Sequence, residues 1–183
     1  DIEIHGKSEN ATLHPKLIEA VKAMFPAEKL QEVFPVQFME DGVTEKPLMV
    51  RIYGEGHGGN IQGKCGKAYA PDGKFLFRIF DIFVNSTELK MEDVKDIAQK
   101  FGVETAPFVG TMTVTEAEEL VKKGFSSFCT PAGAPAFPAE GLVGRPSIPL
   151  LTRLGRRIIV KIKSCDYQQL ENKRKQFIGE QSK

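Results

Sequence analysis

The run "FLFRIFDIFV" at residues 75–84 limits the fold more than any other part of the chain. Apart from Arg78 and Asp81 it is apolar at odd and even positions alike. A strand with one wet face would alternate, so this pattern predicts a central strand covered on both sides. Such a strand needs neighbours. "PLMVRIYGE" (47–55) reads as one, followed by glycines from Gly54 to Gly66 and a turn at Pro71-Asp72-Gly73. "EGLVGRP" (140–146) and "RRIIVKIK" (156–163) read as two more, and the Ile2/Ile4 alternation of "DIEIHG" reads as the second half of another.

Helices are spaced irregularly between these strands. Pro15 opens one in which Leu17, Ile18, Val21 and Phe25 form an apolar face, with Pro26 ending it. Val94, Ile97, Ala98 and Phe101 mark a second that stops at Gly102, and Ala117, Leu120 and Val121 a third that stops at Gly124. "SSFCTPAGAPAFPA" (126–139) is a connection rich in small residues and proline, and "DYQQLENKRKQF" a polar helix or tail. No internal repeat occurs. Without regular βαβ alternation, the mixture implies an α+β fold of antiparallel sheets with flanking helices.

The 183 residues are 41% hydrophobic and 27% charged, enough for a proper core in one domain or a domain with a small appendage. No apolar run is long enough to span a bilayer and no signal peptide leads the chain, so a cytoplasmic protein with no membrane partner is expected. Cys65, Cys129 and Cys165 fit neither a disulfide framework nor a C-x-x-C zinc site and read as structural thiols. A net charge of +1 excludes a globally basic nucleic-acid binder but leaves room for a local patch, such as that of Arg153, Arg156, Arg157, Lys161 and Lys163.

Several short motifs bear on chemistry. "GGNIQGKC" (58–65) comes close to a phosphate-cradling G-x-x-x-x-G-K-[ST] loop, which needs a helix beginning at the lysine and a hydroxyl after it. Cys65 replaces the hydroxyl, and Gly66, Pro71 and Gly73 are expected to keep a helix from starting there. Glu55, read as a strand end before the glycines, is either a solvated glutamate or a carboxylate at an opening that a ligand can approach. In "IIVKIK", period two puts Lys161 and Lys163 on one face, about 6 to 7 Å apart. Like charges side by side are either a solvated face or a site for an anion or acid between them. Glu140 is a lone carboxylate on a largely apolar strand, and such a group has a metal or a lysine as partner.

Glu55 in "YGEGHGGNIQ", Phe80-Asp81 in "FRIFDIFV", Glu140-Gly141-x-Val143-x-Arg145 and Lys161-x-Lys163 resemble, in this order, motifs of the covalent nucleotidyltransferases. Among these the chain is most similar to the small ATP-dependent RNA ligases of phage and viral type, over about residues 5 to 167. The resemblance implies a nucleotidyltransferase (ATP-grasp-like) domain over 1–165, a C-terminal helix or tail over 166–183, and a monomer, in host cytoplasm if phage-encoded. It also implies ATP and Mg²⁺ as cofactors and RNA with 5′-phosphate and 3′-hydroxyl ends as partner. Phe80 would stack on adenine, Lys161 and Lys163 would act on the α-phosphate, and Glu140 would help bind the metal. Glu55 would touch the nucleoside or metal side of the pocket and Arg145 would join the cofactor contacts. Lys7 stands where arginine is usual, approaching the phosphates or the RNA end without a bidentate fork. Lys64 becomes a candidate contact for RNA or pyrophosphate.

The family's nucleophile is the lysine of a K-x-x-G motif, and no lysine here has glycine three residues on. Glu3-Ile4-His5-Gly6 is nearest, with glutamate in the nucleophile's place. The first motif is expected upstream of Asp1, because "GKSENA" (6–11) resembles the segment that follows it. Within enzymes the alternatives are a DNA ligase or a capping guanylyltransferase, which usually continue into an OB-fold module. From another class, the chain could be a non-catalytic nucleotide-binding or RNA-end-binding relative.

Overall fold

A computed structural model describes the chain except for Asp1, Glu9, Asp41, Pro47, Gln62 and residues 168–183. It divides into two compact units, Asp1–Pro107 and Phe108–Lys183. The first holds α1 (Pro15–Met24), α2 (Ala27–Val33), β1 (Gln37–Phe38), β2 (Glu45–Lys46), β3 (Val50–Gly58), α3 (Lys64–Tyr69), β4 (Phe75–Val84), β5 (Thr87–Glu88), α4 (Met91–Phe101) and β6 (Glu104–Thr105). The second holds α5 (Val114–Lys123), β7 (Gly141–Gly144) and β8 (Val160–Lys163). The α+β class holds. Among the described residues every strand pair is antiparallel except β4 with β6, which run parallel, so the larger sheet is mixed.

In the first unit β4 is central, bordered by β3 on one side and by β5 and β6 on the other. Its ladder with β3 is interrupted once. Tyr53 faces Asp81 while Gly54 faces Ile79, so Phe80 is the inserted residue of a β-bulge. The insertion reverses the alternation of side chains. Phe75, Phe77 and Ile79 before it share the core face with Ile82 after it, and Ile79 and Ile82 are wholly buried. Against them pack Leu17, Val21 and Phe25 from α1 and its end, Val94 and Ala98 from α4, and Val103. Each of these side chains other than Ala98 contributes ~1.5–3 kcal/mol when buried.

Two glycines of β3 let this core close. A Cβ on Gly54 would lie 2.4 Å from the Phe77 ring, and one on Gly56 2.4 Å from Leu17 Cδ2. Both apolar side chains thus rest on bare strand backbone. Local signals set the helix ends. His14 caps α1 by accepting from the Lys16 amide, Gly102 closes α4 in the left-handed conformation, and Thr113 and Glu116 form a reciprocal capping box on α5.

Four local readings need correction. Residues 2–6 form no strand. β3 does not end at Glu55 but continues to Gly58, because Gly56 and Gly58 keep pairing with β4. A helix does begin at Lys64: Gly66 is tolerated in so short a helix and is required there, since its Cβ would come within 2.1 Å of the Ile61 carbonyl oxygen, while Pro71 lies past the helix end. "RRIIVKIK" is a strand only from Val160, with an isolated bridge from Arg157 to Leu151 before it. The polar C-terminal helix or tail lies, from residue 168, outside the described residues, and so does the side chain of Lys64. No helix among the described residues is long and apolar enough to cross a membrane.

Gly58 joins two constraints: its φ is +89°, and a Cβ there would stand 2.1 Å from the Lys74 carbonyl oxygen. Gly102 shares the positive φ, +67°, with open space around it. Gly58→Ala and Gly102→Ala both carry the left-handed cost, ~1–2 kcal/mol. Only Gly58→Ala adds a backbone clash, for another ~1–3 kcal/mol. Urea unfolding of the two variants should show that difference, and equal midpoints would contradict the close approach at Gly58.

Candidate active site

Beyond the bulge the polar side chains of β3 and β4 gather on the face opposite the core. Arg51, Tyr53, Glu55 and His57 alternate with the core residues of β3, and Arg78, Asp81 and Phe83 occupy the same face of β4. Tyr53 meets Phe83 edge-on at 5.6 Å, and the Arg51 guanidinium lies 5.7 Å from the Phe83 ring centre. Phe80, at the bulge, is half-buried beside the buried Asp81 and across from the Tyr53–Gly54 step. The bulge therefore brings Phe80 and Glu55, forecast separately, to one part of the ladder.

Register also assembles a charged row that the motifs do not show. Glu55 is opposite Arg78, and Arg78 is opposite Glu104 on β6. The Arg78 guanidinium pairs with Glu104, and its Nε is buried with no hydrogen-bond partner among the described residues. Next in line is His57, buried against Tyr69 in an edge-on contact at 6.3 Å. Its Nδ1 lies 3.3 Å from the Glu55 carbonyl oxygen, which fixes the proton on Nδ1 of the neutral ring and leaves Nε2 as an acceptor, buried and without a hydrogen-bond partner among the described residues. Burial holds the His57 pKa below its ordinary 6.5, and the nearby Arg78 charge pushes the same way.

The second unit has a charged group of its own. In the β7–β8 pair Lys163 stands opposite Gly141 and Lys161 opposite Val143, while Ile162 is buried on the other side. Gly141 admits the Ile162 carbonyl oxygen, which a Cβ would meet at 2.0 Å. Glu140 lies immediately before β7, its carbonyl accepting from the Ser164 amide at 2.9 Å. Its carboxylate Oε1 takes a hydrogen bond from Lys163 Nζ at 3.1 Å. That bond, and then the Glu140 charge, raise the Lys163 pKa above 10.5, so the ammonium is kept at any working pH. Both residues are solvent-exposed, as is Lys161.

The expected carboxylate partner is thus a lysine, and Lys161 and Lys163 share one face. Arg145 is half-buried just past β7, and Lys7 is exposed on a bend of the N-terminal segment. Glu55, Phe80 and Lys7 belong to the first unit; Glu140, Arg145, Lys161 and Lys163 belong to the second. His57, Arg78 and Glu104 escaped the motif reading. Arg78 had a visible signal, a cation inside an apolar strand, whereas Glu104 depends on a parallel pairing that no local pattern announces. Among the described residues no group of three or more His, Cys, Asp or Glu side chains could hold a metal by itself.

Antiparallel and mixed sheets with flanking helices are the architecture of a nucleotidyltransferase-like ligase domain. The RNA ligase family matches residues 4–163, and the chain belongs to that family. A search of curated proteins finds no match.

His57 makes a test of this face. Its folded pKa lies below the unfolded 6.5, so the unfolded chain binds the extra proton first as pH falls. The stability from the neutral ring is complete above 6.5 and is lost as pH drops through 6.5 towards the lower folded value. Urea midpoints should decline over that window in the wild type and flatten in His57→Phe. An equal slope in both would place the titrating group elsewhere.

Proposed function

We propose that this chain seals RNA, joining a 3′-hydroxyl to a 5′-phosphate activated by AMP, with ATP as the AMP source and Mg²⁺ as its counter-ion. The family match supports RNA ligation in general, and gives no support to a DNA ligase or a capping enzyme. The observation that carries the reading to residues is the β7–β8 pair, with Lys163 Nζ 3.1 Å from Glu140 and Lys161 on the same face. In the sealing step the 3′-oxygen attacks the 5′-phosphorus of the adenylylated strand, the new P–O bond forms as the bond to AMP breaks, and the hydroxyl proton passes to solvent. Lys161 and Lys163 stabilise the charge that grows on the phosphoryl oxygens.

Glu140 fits Mg²⁺ as a single carboxylate acting with substrate phosphates and water, the usual mode for this ion. Held there by Glu140, the ion would supply neutralisation of phosphate charge. Phe80 offers a ring for the adenine, and Glu55 accepts hydrogen bonds from the nucleoside. Lys7 and Arg145 add positive charge towards the phosphates or the RNA end.

Covalent lysyl-AMP needs the lysine of a K-x-x-G motif, and the nearest match in this sequence has Glu3 in that lysine's place. Glu3 favours a second reading, a nucleotide-binding or RNA-end-binding relative that makes no bond. Sealing of pre-adenylylated RNA separates the two, because it bypasses the nucleophile. With Mg²⁺, an adenylylated 5′ strand and a 3′-hydroxyl acceptor, the protein should form joined RNA and AMP without ATP. Lys163→Ala should slow this by ~100-fold or more, the scale of losing one transition-state donor, at an unchanged unfolding midpoint. No product from the wild type would refute ligation in favour of the binding relative.

Phe80→Ala is a separate check on the nucleotide. If the ring stacks on adenine, calorimetry should show ATP binding weakened by ~1–3 kcal/mol. Unchanged affinity in the folded variant would remove Phe80 from that role.

A further inference from the structure

At the turn end of the β3–β4 hairpin, about 10 Å along the strand from Glu55, a cavity of about 690 Å³ opens among the start of α1, the Gly59–Asn60 turn and α3. Its volume lies within the ~300–1,000 Å³ of small-ligand sites. Lys16 and Lys67 line it and no Asp or Glu does. Neither lysine has a carboxylate partner among the described residues, whereas neighbouring Lys74 is paired with Asp72 at 2.9 Å. A chain with a net charge of only +1 has thus left one recess with positive charge alone.

The rest of the lining suits a nucleotide. His14 and Phe75 lie ring against ring at 4.8 Å with their planes 30° apart, so an aromatic pair forms one wall. His14 Nδ1 accepts from the Lys16 amide, which fixes that ring as the cap of α1. Asn60 brings an amide with two donors and an acceptor. Its turn is held by bonds from the Gly59 amide to the Lys74 carbonyl and from the Ile61 amide to the Gly58 carbonyl, both 3.0 Å. Cations for phosphates, a ring for a base and an amide for a base edge are the components of single-strand recognition.

We infer that this cavity is a docking subsite for a single-stranded segment of the RNA substrate. Lys16 and Lys67 contact backbone phosphates, His14 extends its stack with Phe75 to one base, and Asn60 hydrogen-bonds that base. The inference rests on the RNA ligase reading and adds to it where the strand is held.

Binding of a short fluorescein-labelled single-stranded RNA, followed by anisotropy over a salt series, tests it. Lys16→Glu/Lys67→Glu should weaken binding by ~5-fold or more and lower the salt slope by ~1.4, since each single-strand phosphate contact contributes ~0.7. Lys46→Glu/Lys90→Glu, with the same charge change elsewhere on the unit, should do much less. His14→Asn keeps a cap for α1 but removes the ring, and should weaken binding with no change in slope. Equal losses in the two lysine doubles would overturn the subsite while leaving RNA ligation standing. Unchanged affinity in His14→Asn would overturn the stacking contact. Competition by free AMP at the RNA concentration would overturn the strand in favour of a mononucleotide. A wild type that binds no RNA at low salt would overturn both the subsite and the function it rests on.

Discussion

The bulge at Phe80 is the constraint on which the first unit depends. A strand's side chains alternate, and without an inserted residue Ile79 and Ile82 would point to opposite faces. With Phe80 inserted, both point into the core and Arg78 and Asp81 share the other face. One residue thereby sorts the strand into a hydrophobic side for α1 and α4 and an opposite side that carries Arg78 and Asp81. A bulge also strengthens local twist and redirects its own side chain, which is why such insertions accompany functional sites. Gly54 belongs to the same device, because the Phe77 ring occupies the space its Cβ would need.

The polar face then follows from pairing. Arg78, in the central strand, has Glu55 opposite on one side and Glu104 on the other, and its guanidinium pairs with Glu104. Its side chain is only 14% exposed, while Glu104 is 73% exposed, so the cation is the more costly of the two to strip of its partner. His57 adds a neutral acceptor within reach of that field. The row makes Arg78 a support for the surroundings of Glu55, fixed by three strands instead of by a loop.

How far the sequence revealed this depends on whether the signal was local. The central strand was legible over its whole length because apolar residues on both parities admit few other readings, yet that same uniformity hid the bulge. Period two placed Lys161 and Lys163 on one face, and the isolation of Glu140 pointed to a partner, which is Lys163. α1, α4 and α5 were legible from apolar spacing and their stop residues. The misreadings cluster at glycines. "GEGHGG" looked like the end of a strand, but its glycines face Leu17, Phe77 and the Lys74 carbonyl, so they mark close contact and not a break. Gly66 misled in the same way, meeting the Ile61 carbonyl inside α3. Glycine reports that space is short or φ is unusual, and only the tertiary partner decides which.

The Glu140–Lys163 pair has a different logic from the buried row. It lies in solvent, with side-chain exposures of 81% and 49%, where an ion pair contributes ~0–1 kcal/mol at most. Its value to the fold is therefore small. On the proposed reading that weakness would be useful, because the ammonium would be free to serve phosphate and the carboxylate to hold the metal. A buried pair would have to be broken against several kcal/mol. An exposed one exchanges a weak bond for stronger, charge-assisted ones. The pairing with β7 and the Ser164–Glu140 backbone bond fix the backbone of both residues, so such an exchange would change the partner and not the scaffold.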